Sequence, residues 1–423
     1  MFIYNIAIGA YHTGIYLAQI WSSKARAWIK GRKNQWQKMP DTTKRVVWFH
    51  ASSLGEYEQG RPVMELWRKQ HPTDYILLTF YSPSGFSVSH SDGPADYITY
   101  LPADGRRNAQ KWYAHWDPAM AVFFKYDMWL HYVREARVAN VPLGFISVLV
   151  RPTHFFTKPW AGFARRILSQ AAFWACQDKA STQLLVGLNF QQVVCTGDTR
   201  VDRVVDLSKT EFANDVIETF TRNELVLMVG SSWQAEESMI VKLLQVNPDI
   251  KIVLAPHDVS EAHLKELDRR FSNRAIRYSS ITNISEVRQY SVLVIDRIGW
   301  LSRLYRFADM AFIGGGFRKS VHNTLEPVAY RIPVAFGPRH KTFFEPGAFI
   351  ALGVGHEVLN AQELIAFVDR YAIKHNRNEA ARAADVFFDA HRGASEKNAA
   401  LLNEILNKWR PNHNDESGSR YIQ

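Results

Sequence analysis

The chain has 423 residues, 47% hydrophobic and 22% charged, with 23 Gly and 17 Pro. That is globular composition, long enough for two or three domains and unlike collagen or a disordered chain. Two cysteines, Cys176 and Cys195, exclude a disulfide framework or a four-thiolate zinc site and fit a reducing compartment. The net charge of +10 is local: from Lys24 to Arg45, eight basic residues face Asp41 alone. The remainder is nearly balanced, which argues against a nucleic-acid partner, since such proteins spread basic residues over a folded face.

Residues 1–23 carry no charged side chain. Crossing a bilayer takes about 20 apolar residues, and Asn5, His12 and Gln19 interrupt this stretch. Tyr4, Tyr11, Tyr16 and Trp21 are residues that favour the membrane interface. A signal peptide would place its basic residues first; here they follow. The pattern predicts a membrane anchor, spanning or lying in the interface, with the basic run facing the cytoplasm and anionic lipids. A buried N-terminal helix is the alternative. Residues 1–33 form the expected anchor and basic segment, removable without loss of the fold.

Beyond Pro40, short apolar runs alternate with helical stretches. Strands are expected at 45–51, 75–80, 97–101, 121–126, 143–149, 173–176 and 193–196, with helices at 59–70 and 162–170 among the connections. Continuous apolar runs suit parallel strands covered on both faces. The series restarts with strands at 225–230, 252–255, 292–295, 310–313 and 333–336, joined by helices at 237–245, 261–271 and 300–307. A helical stretch covers 376–409, and 411–423 reads as a polar, disordered tail. The expected class is α/β: two Rossmann-like domains, 34–210 and 211–410, facing a cleft, with ligands outside the carboxyl ends of the strands.

The loops after strands are therefore the candidate sites. Ser53-Leu-Gly-Glu56 puts Glu56 at a helix start beside Gly55, where it serves either chemistry or the helix dipole. Pro83-Ser84-Gly85 forms a polar loop or an ordinary turn. Lys125 and Asp127 set opposite charges at a strand end, and Asp198-Thr-Arg200 follows another. In the second half, Gly230 to Glu237 opens a helix whose N–H groups suit an anion. Pro256-His257-Asp258 ends a strand, and Gly314-Gly315-Gly316 lets backbone approach a phosphate or sugar. Arg318 and Lys319 follow. In His322-Asn323-Thr324-Leu325-Glu326-Pro327, a capping residue precedes a carboxylate suited to ribose hydroxyls or to the cap alone. HExxH, CxxC, Asp-x-Asp, Walker A and Gly-x-Ser-x-Gly patterns do not occur, and His257 and His263 are too isolated for a metal pair.

In order, these loops resemble the Kdo (3-deoxy-D-manno-octulosonic acid) transferases of glycosyltransferase family 30. The resemblance runs from the N-terminal stretch to about Trp409. Its strongest motifs are Ser53-Leu-Gly-Glu56 with Pro62, and His322 to Pro327 with Pro333 and Gly337-Pro338. Asp104 after Leu101-Pro102, and Thr79 with Pro83-Ser84-Gly85, also fit. The resemblance implies a GT-B fold and transfer of Kdo from CMP-Kdo to a hydroxyl of the lipid A precursor. It also implies inversion at the anomeric carbon, no metal or cofactor, and a place at the cytoplasmic face of the bacterial inner membrane. Another GT-B nucleotide-sugar enzyme is the alternative.

By the same resemblance Glu56 matches the general base, and Lys125, Asp127 and Arg200 match transition-state contacts. Ser53, Gly55, Ser84 and Gly85 fall on the acceptor side. Pro256, His257, Gly299, Trp300, Leu301, Asn323, Thr324, Leu325 and Glu326 fall on the CMP-Kdo side, to which Gly315, Gly316 and Lys319 are added from their own chemistry as donor contacts. Three positions depart from the family. Pro256-His257-Asp258 stands where Pro-Arg-His is usual, so a neutral ring replaces a permanent cation. Lys125-Tyr-Asp127 replaces Glu-x-Glu, and Asp198-Thr-Arg200 replaces Asn-x-Lys. Arg318, Lys319 or Arg339 then supply the missing charge.

Overall fold

A computed structural model describes residues 1–86, 93–125 and 127–409. Tyr126 and the tail expected at 411–423 lie outside them. The chain divides into two compact units. One comprises Met1–Asp202 together with the stretch from Arg392; the other is Arg203–His391.

The first unit holds seven parallel strands: β1 (Val46–Ala51), β2 (Tyr75–Phe80), β3 (Tyr97–Tyr100), β4 (Met120–Phe124), β5 (Leu143–Val148), β6 (Phe173–Cys176) and β7 (Val193–Cys195). Their order is β3-β2-β1-β4-β5-β6-β7. The strand order reverses between β1 and β4, and the loops leaving those two strands meet there. The central strands are buried along their whole length because helices cover both faces. Trp48, Trp112, Phe123 and Trp174 fill one side; Phe49, Trp67, Phe80 and Phe124 fill the other.

The second unit repeats the plan with β8 (Val226–Ser232), β9 (Lys251–Pro256), β10 (Ala275–Arg277), β11 (Val292–Val294), β12 (Met310–Ile313), β13 (Val334–Phe336) and β14 (Gly355–Glu357). The order is β10-β11-β9-β8-β12-β13-β14, so the reversal falls between β8 and β12. Twelve of these fourteen strands coincide with the apolar runs. The edge strands β10 and β14 escape that pattern, since Ala-Ile-Arg and Gly-His-Glu carry no continuous apolar run.

Two expectations require correction. The helix expected over 376–409 is two helices, Lys374–His391 and Ala394–Trp409. Gly393, at φ +89°, breaks them. The Asp202 carboxylate accepts from the N–H groups of Gly393 (2.7 Å) and Ser395 (2.6 Å). Leu402, Ile405 and Leu406 then pack with Val63, Met64 and Trp67 of the first unit, so the terminal helix does not belong to the second domain.

Residues 1–33 are likewise no detachable segment. Helices Phe2–Ala18 and Ser23–Arg32 lie on the first unit. The Tyr4 hydroxyl donates to Asp104, Asn5 meets His131 Nε2 at 2.7 Å, and His12 meets the Tyr81 hydroxyl at 3.0 Å. Trp28 is only 6% exposed. Arg32, counted with the basic run, is half-buried: it donates to the carbonyls of Leu101 (3.0 Å) and Tyr81 (2.8 Å) and stacks 3.9 Å from the Trp28 ring. Polar positions 4, 5 and 12 share the docked face of the first helix. Phe2, Ile3, Ile6 and Leu17 are exposed. No helix among the described residues is long and apolar enough to cross a membrane.

Candidate active site

Helix Leu54–Gln70 begins straight after β1, so Glu56 stands in its first turn at the carboxyl edge of the sheet. Its side chain folds back to accept the Ser52 N–H at 2.6 Å, complementing the helix dipole. The space beside Gly55 is open. At the neighbouring end of β4, Lys125 adopts φ +60°, an uncommon conformation for a residue with a Cβ and typical of a strained functional turn. Lys125 lies in the fields of Glu56, Arg200, Asp198 and Asp127, and burial lowers its ammonium pKa. Arg200 is tied to Asp198 through Nε (2.9 Å) and a terminal nitrogen (2.5 Å). The structure thus gathers Glu56, Lys125, Asp127 and Arg200 around one spot.

Two of these groups are coupled. The Glu56 and Asp127 carboxyls lie in one another's field. Burial raises both pKa values. The Glu56 charge raises Asp127 further, well above the carboxylate range, whereas the Ser52 N–H and Lys125 restrain the rise at Glu56. Both carboxyls are thus pushed toward the protonated form, Asp127 the more strongly, and the pair titrates as one system.

His50, which sequence reasoning passed over, fixes this corner. Trp129 Nε1–H donates to its Nε2 at 3.1 Å, and its Nδ1 meets Thr79 Oγ1 at 2.8 Å. The ring is therefore neutral with its proton on Nδ1, and burial pushes its pKa down to about 3. Asp127 Oδ2 lies 3.6 Å from His50 Nε2. Ser53 stands at the N-cap position without a side-chain capping bond, and Ser84 bonds Ser82 at 3.0 Å. The missing Cβ of Gly85 faces the Phe80 ring, so that glycine serves packing.

In the second unit a cavity of about 260 Å³ opens at the reversal between β8 and β12. Ser231, Gly299, Leu301, Ser302, Tyr305, His322, Asn323 and Glu326 line it. Asn323 Nδ2 donates to Glu326 Oε1 at 3.0 Å, which leaves the carboxylate oriented. Ser231 sits at φ +54° where β8 bulges, aimed by the same kind of strain as Lys125. Burial lowers the His322 pKa.

Several expected residues lie elsewhere. Gly314 packs against the Ser231 backbone and Gly316 against Gly337, while Gly315 at φ +88° closes on Ser320 and His322. The triplet is thus required for one loop to lie on another. Buried Glu236, part of the Gly230 to Glu237 loop, holds the turn by accepting the Gly315 N–H at 2.8 Å. Trp300 packs edge-on against Phe212 and Tyr278, away from the cavity. Thr324 and Leu325 are buried beneath it. His257, after Pro256 at the end of β9, joins a column: its ring stacks on Trp233 (4.4 Å) and His322 (4.6 Å), and Arg318 caps Trp233 at 3.9 Å. Lys319 is exposed beside it. Of the missed lining residues, His322 was visible as the first residue of its motif. Ser231 falls in the Gly230 to Glu237 loop already singled out, whereas Ser302 and Tyr305 carry no comparable mark. No three His, Cys, Asp or Glu side chains converge on a metal position among the described residues.

Residues 26–203 match the family model of 3-deoxy-D-manno-octulosonic-acid transferase (kdotransferase). A 3-deoxy-D-manno-octulosonic acid transferase of Chlamydophila psittaci is 26% identical over 305 residues, 69% of each chain. One of Haemophilus influenzae is 23% identical over 378 residues, covering 86% of this chain and 87% of its own. Among solved structures, UDP-GlcNAc 2-epimerase from Neisseria meningitidis bound to UDP-GlcNAc superposes with TM-score 0.58 at 16% identity, covering 86% of this chain and all of its own. A glycosyltransferase from Rickettsia africae gives TM-score 0.57 at 12% identity, over 86% and 99%. These likenesses show the fold: two parallel-sheet α/β units of GT-B type. The resemblance drawn from the ordered motifs agrees with the family model over residues 26–203 and with these relatives.

Proposed function

We propose that this chain transfers Kdo from CMP-Kdo to a hydroxyl of the lipid A precursor, with inversion and without a metal, at the cytoplasmic face of the bacterial inner membrane. The coupled Glu56 and Asp127 carboxyls at the β1/β4 reversal carry this reading. An inverting displacement needs a base that takes the acceptor proton as the hydroxyl oxygen attacks the anomeric carbon. Glu56 takes that role: Asp127 is the carboxyl pushed further toward its protonated form, which leaves the charge to Glu56, and the open side of Gly55 admits an acceptor. Lys125 and Arg200 bring cations to the same spot, where the Kdo carboxylate and the departing phosphate develop negative charge.

The cavity of the second unit suits the nucleotide. Glu326, oriented by Asn323, accepts from ribose hydroxyls, and the hydroxyls of Ser231 and Ser302 add polar contacts. Arg318, stacked on Trp233, and Lys319 are the cations offered to the donor anions in place of the family's Arg. The exposed apolar face of the first helix supports membrane association in the interface plane.

Supplying CMP-Kdo, UDP-sugars and GDP-sugars in turn with a lipid A precursor, and weighing the product, tests the proposal. A mass gain of one or more Kdo units from CMP-Kdo alone is the expected result. Transfer from a UDP- or GDP-sugar instead would replace it with the broader nucleotide-sugar reading.

A further inference from the structure

The first unit carries a second cavity, of about 680 Å³, between helices Leu130–Val138 and Gly162–Leu168. It lies toward the end of helix Leu130–Val138 remote from the β4 loop that bears Lys125 and Asp127, so it is distinct from the catalytic cluster. Arg134, Arg137 and Arg166 supply charge, and Val138 and Phe163 supply apolar wall. Arg134 lies 3.8 Å from Glu135, which Arg106 also approaches. Arg137 and Arg166 are exposed, and their guanidiniums have no carboxylate partner among the described residues. Met1 lines the cavity as well, so its mouth continues into the exposed apolar start of the first helix, where Phe2 and Ile3 are 78% and 77% exposed.

Unpaired guanidiniums bind phosphate by charge-assisted hydrogen bonds. An apolar wall continuous with exposed Phe2 and Ile3 suits acyl chains rather than a soluble phosphate ester. We infer that this cavity binds the phosphate head group of an anionic membrane phospholipid, with the lipid's acyl chains along the outer face of helix Phe2–Ala18. Occupancy would seat the first unit in the interface at a fixed orientation. The inference does not depend on which sugar is transferred.

Flotation of the full chain with phosphatidylglycerol/phosphatidylcholine vesicles, without acceptor or donor, tests it. A basic residue near an anionic surface contributes about 1 kcal/mol, so Arg137→Ala/Arg166→Ala should bind these vesicles roughly 30-fold more weakly. Val138→Asp, at a position 73% exposed and thus harmless to folding, should weaken binding too. Lys38→Ala/Lys44→Ala removes the same charge outside the cavity and should retain most binding. Glycerol 3-phosphate in solution should not compete. Equal losses in both double variants would reduce the effect to diffuse charge and overturn the site. Unchanged binding by Arg137→Ala/Arg166→Ala, or displacement by glycerol 3-phosphate, would overturn it as well.

Discussion

Asp127 can act in two ways that a pair of substitutions separates. In the proposed mechanism it is a neutral acid that donates to Glu56, since burial and the Glu56 charge both oppose its ionisation. An amide at position 127 also has a donor. Asp127→Asn should therefore keep the bond to Glu56 and the neutral state, and lose less than about tenfold in turnover, under ~1.4 kcal/mol. Asp127→Ala removes the donor. A hydrogen bond to a charged group is worth about 1.5–3 kcal/mol, so turnover should fall roughly 10- to 150-fold. The pH profile gives a second readout. In the parent protein, activity is lost as pH falls through the raised pKa of Glu56, because the base becomes protonated. With Asp127→Asn the neighbouring negative charge can no longer form, and the acid limb should become a simple one-proton step. The assay is initial rate of Kdo transfer from about pH 4 to 8, a range spanning the carboxylate region and above. If Asp127→Asn is as inactive as Asp127→Ala, the negative charge of Asp127 is needed, and the account of Asp127 as a neutral donor fails.

Two further predictions concern the N-terminal helices. Trp28→Ala should destabilise the protein by about 3–5 kcal/mol, the cost of emptying a buried aromatic site, as read by denaturant unfolding; a change under about 1 kcal/mol, the usual surface range, would show that the segment detaches freely. Burial raises the Asp104 pKa from 3.8 to about 7. A carboxyl that binds its proton more tightly in the folded state stabilises the fold at low pH, and this contribution is lost as pH rises from about 4 to 7. Asp104→Asn should flatten that part of the stability–pH curve; an unchanged slope would contradict the burial of Asp104 beneath Tyr4.

Much of the fold was legible because parallel strands covered on both faces read as unbroken apolar runs. The segments 75–80, 173–176 and 310–313 coincide with β2, β6 and β12 to the residue. Strand ends were less legible, since β8 continues through Ser231 and Ser232, polar residues that no apolar run includes. Glu56, Lys125, Asp127 and Arg200 could be nominated singly from their loops after strands. What no spacing revealed was the contact between positions 56 and 127, which only the β1/β4 adjacency creates. The glycine triplet misled for a physical reason: a residue without a Cβ is needed equally where a ligand approaches and where another backbone does, and here Ser231 and Gly337 occupy the space. The N-terminal stretch misled differently. Its tyrosines look interfacial in sequence and His12 looks like an interruption, yet Tyr4 and His12 face Asp104 and Tyr81.

The central claim is that Glu56 removes the acceptor proton while the donor binds elsewhere. Measuring turnover and CMP-Kdo affinity of Glu56→Gln side by side tests it most directly. The account predicts a fall in turnover of at least about 10²- to 10⁴-fold, typical of a lost general base, with donor affinity nearly unchanged. Near-normal turnover, or a loss explained entirely by weaker CMP-Kdo binding, would contradict it.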